Sequence, residues 1–343
     1  MKNKIKEILV TGAGGYIGSM LVPSLISSGY KVRAIDRFFF GNHLRPNKNL
    51  TIINDDIRNM KSNYFKSIYA VIDLAAISND PSGARFKKQT YEINFKSRVR
   101  NAKLAKKNQV SRYLLPSSCS NYGRIKTNQI ADETFSLNPL TDYSKANSMA
   151  EFEILNISNK SFCPTVIRQG TLFGYSPRLR LDLAINGMTY GIFKNKTLPV
   201  MRDGTQRRPM LHIKDAIRAI KFLLKQDSNI IREQIYNIGD NSNNYSINDL
   251  VTKFKKIFKN NFKLEWYGSK DKRSYFVSFD KINSLNFYTK YKAEDGILEL
   301  YNLFKNKNYL LTDNNITLKW YEQLEHWNET IKQVSRNGKI LKL

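Results

Sequence analysis

The stretch VTGAGGYIG, Val10–Gly18, decides the fold. It follows a short β-rich apolar run, IKEIL, and leads into a helical pattern that ends at Gly29. A glycine triplet alone carries little, but a strand before it and a helix after it give it meaning. Gly12, Gly15 and Gly18 permit a tight turn and let the backbone approach a pyrophosphate. The N–H groups at the helix start, around Tyr16 and Ile17, then favour anionic oxygens. Asp36 closes the second strand, YKVRAID, about 20 residues further on, where an acid accepts the hydroxyls of an adenosine ribose. A carboxylate there repels a 2′-phosphate, so the expected cofactor is NAD in preference to NADP. Arg37 is the neighbour that would soften this choice by accepting a phosphate.

Outward from this loop, strand and helix patterns alternate. LTIINDD, YAVIDLAA, SRYLLPSS and FCPTVIRQG read as strands, and residues 85–108 and 138–159 read as helical. The alternation predicts an α/β chain with a Rossmann-type, doubly wound parallel sheet. Residues 1–174 are expected to form the dinucleotide-binding domain, with 207–240 returning to it. Residues 175–206 and 241–311 are expected to build a smaller C-terminal substrate-binding lobe, and 312–343 an extra helix. Ile316, Trp320, Leu324, Trp327, Ile331 and Val334 fall at steps of three or four, one apolar face that predicts docking on the body.

The bulk numbers exclude several classes. The net charge of +27 invites a nucleic-acid reading, but the lysines are spread along all 343 residues instead of forming a block, so a nucleic-acid partner is disfavoured. Two cysteines imply no disulfide framework and fit a cytoplasmic setting. His43, His212 and His326 offer no metal-ligand spacing. No apolar stretch has membrane-spanning length, and the basic start breaks into glycines before any signal-peptide pattern develops.

Several motifs in order make the sequence resemble the NAD-dependent epimerase/dehydratase family, the extended short-chain dehydrogenase/reductases. They are TGAGGYIG, DDIR (Asp55–Arg58), DLAA (Asp73–Ala76), SSCSNYG (Ser117–Gly123), NPLTDYSKANSMAE (Asn138–Glu151), RRPMLHIKD (Arg207–Asp215) and DKRSYFVSFDKI (Asp271–Ile282). The resemblance implies a nucleotide-diphosphate sugar as substrate. It places Asp56 and Ile57 at the adenine, Leu74, Ala75, Ala76 and Ser117 along the cofactor path, and Asn94 among the cofactor-binding residues, in the helix that backs the active site. It makes Ser118 the hydroxyl that bonds the reacting sugar hydroxyl, and Tyr143 the group that takes and returns its proton. Arg178, Arg180 and Asn186 lie where relatives hold substrate, and Arg208 and Arg273 match arginines that clamp its diphosphate. Relatives often form homodimers through the two helical segments, so a homodimer is a candidate assembly.

One letter departs. Four residues after Tyr143, where the family carries a lysine that holds the nicotinamide ribose and lowers the tyrosine pKa, stands Asn147. Positions i and i+4 share a helix face, so Asn147 points where the lysine should. It can bond the ribose but supplies no charge, and Lys145 sits on the opposite side of the helix. Either the oxidised nicotinamide, or a lysine or arginine from elsewhere, compensates, or the tyrosine is less active. Converting Asn147 to Lys is expected to raise the rate or lower the pH optimum. Dehydratases of the family carry an Asp–Glu pair after the serine/threonine position; here Cys119 and Ser120 stand there, which argues against ordinary 4,6-dehydration. Cys119 is a candidate acid/base, or a small buried side chain beneath the site. The expected function is therefore epimerisation through transient oxidation of a sugar hydroxyl. The alternatives are a nucleotide-sugar oxidoreductase or atypical dehydratase, and a non-catalytic NAD-binding protein associated with RNA.

Overall fold

A computed structural model describes residues 5–307 and 312–335. Residues 1–4, 308–311 and 336–343, which include the ends of the segments read above as 241–311 and 312–343, lie outside the described residues.

Apolar runs set the central sheet. Strands β1 (Glu7–Thr11), β2 (Lys31–Asp36), β3 (Leu50–Asn54), β4 (Ala70–Asp73), β5 (Arg112–Ser118) and β6 (Cys163–Gln169) are joined by the Gln234–Ile238 strand. The seven pair in parallel in the order Gln234–Ile238, β6, β5, β4, β1, β2, β3. β4 and β6 are buried along their whole length, as strands covered on both faces must be. Order reverses between β1, which runs on to β2, and β4, which lies on its other side; a crevice opens there at the carboxyl ends. One apolar cluster, including Ile8, Val10, Leu21 and Ile220, fills one face of the sheet, and another, including Leu9, Val71, Tyr113 and Ile154, fills the other. A third gathers Leu179, Ile185, Leu250, Phe254 and Ile297 from the chain after β6.

Helix α1 (Gly18–Ser27) follows the glycine loop. The segment expected as one helix over 85–108 is broken into α2 (Asp80–Arg85), α3 (Lys87–Tyr91), a wide π-type turn over Glu92–Ser97 and α4 (Arg98–Lys107). The break falls at Phe86, whose backbone leaves the helical region at φ −114° and ψ 51°. α5 (Asp142–Asn156) starts later than the pattern suggested, at a capping box in which Thr141 and Ser144 satisfy each other's backbone N–H groups. The pattern did not disclose the short strands Thr171–Phe173, Thr197–Met201, Asn244–Ser246 and Lys263–Tyr267, all outside the central sheet. Asn244–Ser246 is only three residues long. Lys263–Tyr267 is exposed throughout, so no burial alternation marks it, and it pairs in parallel with Thr197–Met201.

The Thr317–Val334 helix docks by its first half. Trp320 Nε1 donates to the Phe39 carbonyl at 2.6 Å, Tyr321 meets Phe39, Phe40 and Phe86 edge-on, and Arg85 pairs with Glu325 at 2.5 Å. The rest of its apolar face, Trp327, Ile331 and Val334, stays exposed.

Candidate active site

The crevice at the strand reversal holds a cleft of about 220 Å³. Its floor is the glycine loop. Gly12 has φ +65°, and a Cβ there would lie 2.7 Å from the Ala75 nitrogen; a Cβ on Gly18 would lie 2.2 Å from the Gly12 carbonyl oxygen. Glycine is required at both, and the loop stays shallow enough for a phosphate to reach its amides. Asp36 accepts from the Gly14 N–H at 3.0 Å and the Phe38 N–H at 2.6 Å. Burial raises its carboxyl pKa, and these bonds oppose the rise. Arg37 turns away to Asp56 at 3.1 Å, so its charge is already engaged. Burial alone would raise the Asp56 carboxyl too, but Arg58, bonded at 2.6 Å, brings it down to about 2.

The expected cofactor residues Gly12, Gly15, Tyr16, Ile17, Gly18, Asp36, Arg37, Asp56, Ile57, Leu74, Ala75, Ala76, Ser117 and Tyr143 all line this one cleft. Arg178 and Arg180 line it as well. Ser118, the last residue of β5, accepts from the Ser120 N–H at 3.1 Å and bears on the phenol of Tyr143 from α5. Burial pushes that phenol up and Asp80 adds to the rise, while Arg98, Arg180 and Ser118 pull it down. Asn147 is 1% exposed; its Oδ1 accepts from Arg98 Nη1 at 2.9 Å, and its Nδ2 has no partner among the described residues. Gln169 Nε2 and Arg178 Nη1 are likewise buried without a partner among them.

Four expectations need correction. Asn94 does not face the cofactor: it accepts from the Ile77 N–H and donates to the Ile77 carbonyl, both at 2.9 Å, and so pins the loop after β4. Asn186 is fully buried and bonds the Gly174 amide at 3.0 Å and the Arg180 carbonyl at 2.9 Å, which leaves nothing for substrate. Cys119 packs in the core, donates to the Arg168 carbonyl at 3.4 Å and is driven upward in pKa by burial, so it is no acid/base. Arg178 stacks on the Phe40 ring at 3.8 Å and donates to Thr317 at 2.9 Å, which sets it on the cofactor side of the cleft. Burial, then repulsion from Arg180, lowers its pKa to about 10.

Arg208 and Arg273, far apart in sequence, do converge. Both bond Asp271 at 2.7 Å, and Arg273 also pairs with Asp80, the acid that bears on Tyr143. Beneath the site Glu151 takes Arg168 Nη2 at 2.7 Å, Asn121 at 2.7 Å and Ser117 at 2.5 Å, a buried network that fixes the end of β5.

The model of the NAD dependent epimerase/dehydratase family matches residues 8–239. The chain belongs to the NAD-dependent epimerase/dehydratase family. It is 24% identical over 311 residues to a putative UDP-glucose 4-epimerase of Methanocaldococcus jannaschii, covering 88% of this chain and 99% of the relative. A UDP-glucuronate 4-epimerase of Thermodesulfobacterium geofontis is 24% identical over 315 residues, 87% of this chain and 95% of the relative. The solved UDP-glucuronic acid 4-epimerase of Bacillus cereus, in complex with UDP-glucuronic acid and NAD, superposes with a TM-score of 0.77 at 25% identity, covering 88% of this chain and 100% of that one.

Within this family frame, the residues that sequence reasoning missed are Arg98, Gln169, Phe40 and Tyr321, all lining the cleft. Arg98 had a signal: it stands four residues after Asn94 in a segment already expected to back the site. Tyr321 had none, because nothing local shows that a tail helix crosses the loop after β2.

Proposed function

We propose that the protein is an NAD-dependent UDP-sugar 4-epimerase, acting by transient oxidation of the sugar C4 hydroxyl and return of hydride to the opposite face. The observation that carries this reading is Tyr143 in the wall of the cleft that the glycine loop floors, with Ser118 at the end of β5 bearing on its phenol. NAD fits the residues present: a cradle that a Cβ at Gly12 or Gly18 would obstruct, an acid at the ribose position, and three buried donors without partners among the described residues. The glycine-loop amides and Arg178 would hold its pyrophosphate, Asp36 its adenosine ribose, and Asn147 its nicotinamide ribose. When bound it supplies a hydride acceptor and donor.

The chain's own part is positioning and proton transfer. Tyr143 takes the C4 hydroxyl proton, and Ser118 orients that hydroxyl and steadies the phenolate with its hydrogen bond. After the keto sugar turns, Tyr143 returns the proton. Cys119 and Ser120 offer no acid–base pair for loss of water, which favours epimerisation over dehydration. Arg208 and Arg273 bind the sugar diphosphate, because a planar guanidinium meets phosphate oxygens two at a time. Exposed Met149 and Phe152 on α5 support a homodimer in which a second copy covers this helix. The free, buried cysteines fit a cytoplasmic setting.

The test is direct. Purified protein is given NAD with UDP-glucose, UDP-glucuronate or UDP-N-acetylglucosamine, and the sugar is followed by proton NMR. Appearance of the C4 epimer from one of them supports the reading, and three unchanged spectra contradict it.

A further inference from the structure

Resting on the reading of Tyr143 as the proton-exchanging group, we infer that Arg98 supplies the fixed positive charge beside Tyr143, and that Arg98 and Asn147 divide between them the two tasks of the missing lysine.

Arg98, the first residue of α4, reaches across to α5 and is 2% exposed while still lining the cleft. Its Nη1 bonds Asn147 Oδ1 at 2.9 Å, its Nε the Ala75 carbonyl at 3.2 Å and its Nη2 the Asp73 carbonyl at 3.4 Å. All three acceptors are neutral oxygens, so no contacting carboxylate cancels the charge. Arg180, the other cation bearing on Tyr143, is held by Asp182 at 2.5 Å. The remaining groups facing the phenol are Asp80 on α2, itself paired with Arg273 and bonded by Thr141, and Ser118 on β5. Lys145 is exposed on the outer side of α5. Among the described residues Arg98 is therefore the cation in this set with no carboxylate bonded to it; the buried Asp73 carboxylate nearby is held by Thr11 and Tyr113. Burial and Asp80 raise the phenol, and Arg98 is the first cation to oppose them.

The same contact orients Asn147. A guanidinium has only donors, so the amide must present its oxygen to Arg98, which turns Nδ2 the other way. That Nδ2 is buried without a partner among the described residues, one helical turn from Tyr143, ready to donate to a ribose hydroxyl. Arg98 is thus a positioning residue on two counts, through its field on Tyr143 and through the rotamer of Asn147. One consequence reverses the sequence expectation: Asn147→Lys alone sets an ammonium against the Arg98 guanidinium and is expected to lose activity.

The experiment uses Arg98→Met, Arg98→Lys, Asn147→Lys and the double variant Arg98→Met/Asn147→Lys. In NAD-free protein labelled with 13C-tyrosine, the Tyr143 resonance is assigned by its absence in Tyr143→Phe and titrated with base. Turnover of the UDP-sugar is measured against pH in parallel. Arg98→Met is expected to move the Tyr143 titration to higher pH and cut the rate at pH 7 by about tenfold or more. Arg98→Lys and the double variant, which both keep one cation beside the phenol, are expected to titrate near the wild type. If Arg98→Met does not fold, Asn147→Lys, which adds a second cation, is expected to titrate at lower pH than the double variant, and a double variant that titrates like Asn147→Lys overturns the inference. The inference is overturned if folded Arg98→Met titrates and responds to pH like the wild type, or if Arg98→Lys shifts as far as Arg98→Met. Should no UDP-sugar turn over at all, the epimerase reading fails while the titration still decides on Arg98.

Discussion

The two ends of the ligand cleft are finished differently. At the cofactor end the donors stand open: Arg178 Nη1, Gln169 Nε2 and Asn147 Nδ2 are buried with no partner among the described residues. At the end proposed for the substrate, Arg208 and Arg273 are already taken, both by Asp271, and Arg273 by Asp80 as well. On the proposed reading the cofactor end is preorganised, whereas the substrate end is self-neutralised and exchanges carboxylates for phosphates when the sugar diphosphate binds. A preorganised site binds without reorganisation cost, and a neutralised one releases its ligand more easily. That division suits an enzyme that keeps its redox cofactor through the cycle and trades sugars.

Mutations can break this contrast, the strongest first. Tyr143→Phe removes the proton acceptor and is expected to lower kcat by about 1000-fold while NAD affinity, read by calorimetry, holds. Gly18→Ala forces a Cβ to 2.2 Å from the Gly12 carbonyl oxygen and is expected to weaken NAD by about 10- to 100-fold, with sugar KM changed only through NAD occupancy. Arg273→Ala should do the reverse, raising KM for the UDP-sugar about 10- to 30-fold at unchanged NAD affinity. Tyr321→Ala strips an aromatic from the roof of the cofactor end and is expected to weaken NAD about 3- to 10-fold. Equal losses for both ligands in Gly18→Ala and Arg273→Ala would erase the distinction.

A fifth, smallest effect sharpens the seam between the halves. Glu299, on the Ala293–Lys307 helix, bonds His212 at 2.9 Å and the Tyr175 amide at 3.2 Å and pairs with Lys214. Burial would raise its carboxyl, but His212 and Lys214 bring it from 4.5 to about 2. Its folded-state pKa is depressed, so its stabilising contribution is complete above pH 4.5 and is lost as pH falls toward 2. Glu299→Gln should flatten the fall in melting temperature across that window, measured by circular dichroism, and leave melting at neutral pH nearer its acid value.

The same contrast governs what the sequence disclosed. The glycine loop, Asp36 and the Tyr143 helix are local patterns, and their placement on one cleft was legible. Ser118 was too, as the end of a buried strand. Asn94, Asn186 and Cys119 carried the right letters, but whether a polar side chain faces a cleft or ties a loop depends on partners far along the chain. Asn186, for instance, reaches the Tyr16 hydroxyl at 3.3 Å across 170 positions. Arg98 and Tyr321 matter through contacts 49 positions away at Asn147 and in the Phe39–Phe40 loop, which no periodicity encodes. The Lys263–Tyr267 strand was hidden because every residue in it is exposed.

The central claim is that hydride leaves C4 of a UDP-sugar and returns to the same carbon within this cleft. The most direct measurement supplies NAD with UDP-sugars deuterated at C4 and reads both epimers by mass spectrometry. The account predicts an epimer that keeps its deuterium, with no lasting absorbance of reduced NAD. An epimer that has lost the label to solvent, or stoichiometric accumulation of reduced NAD with a keto sugar, would contradict it.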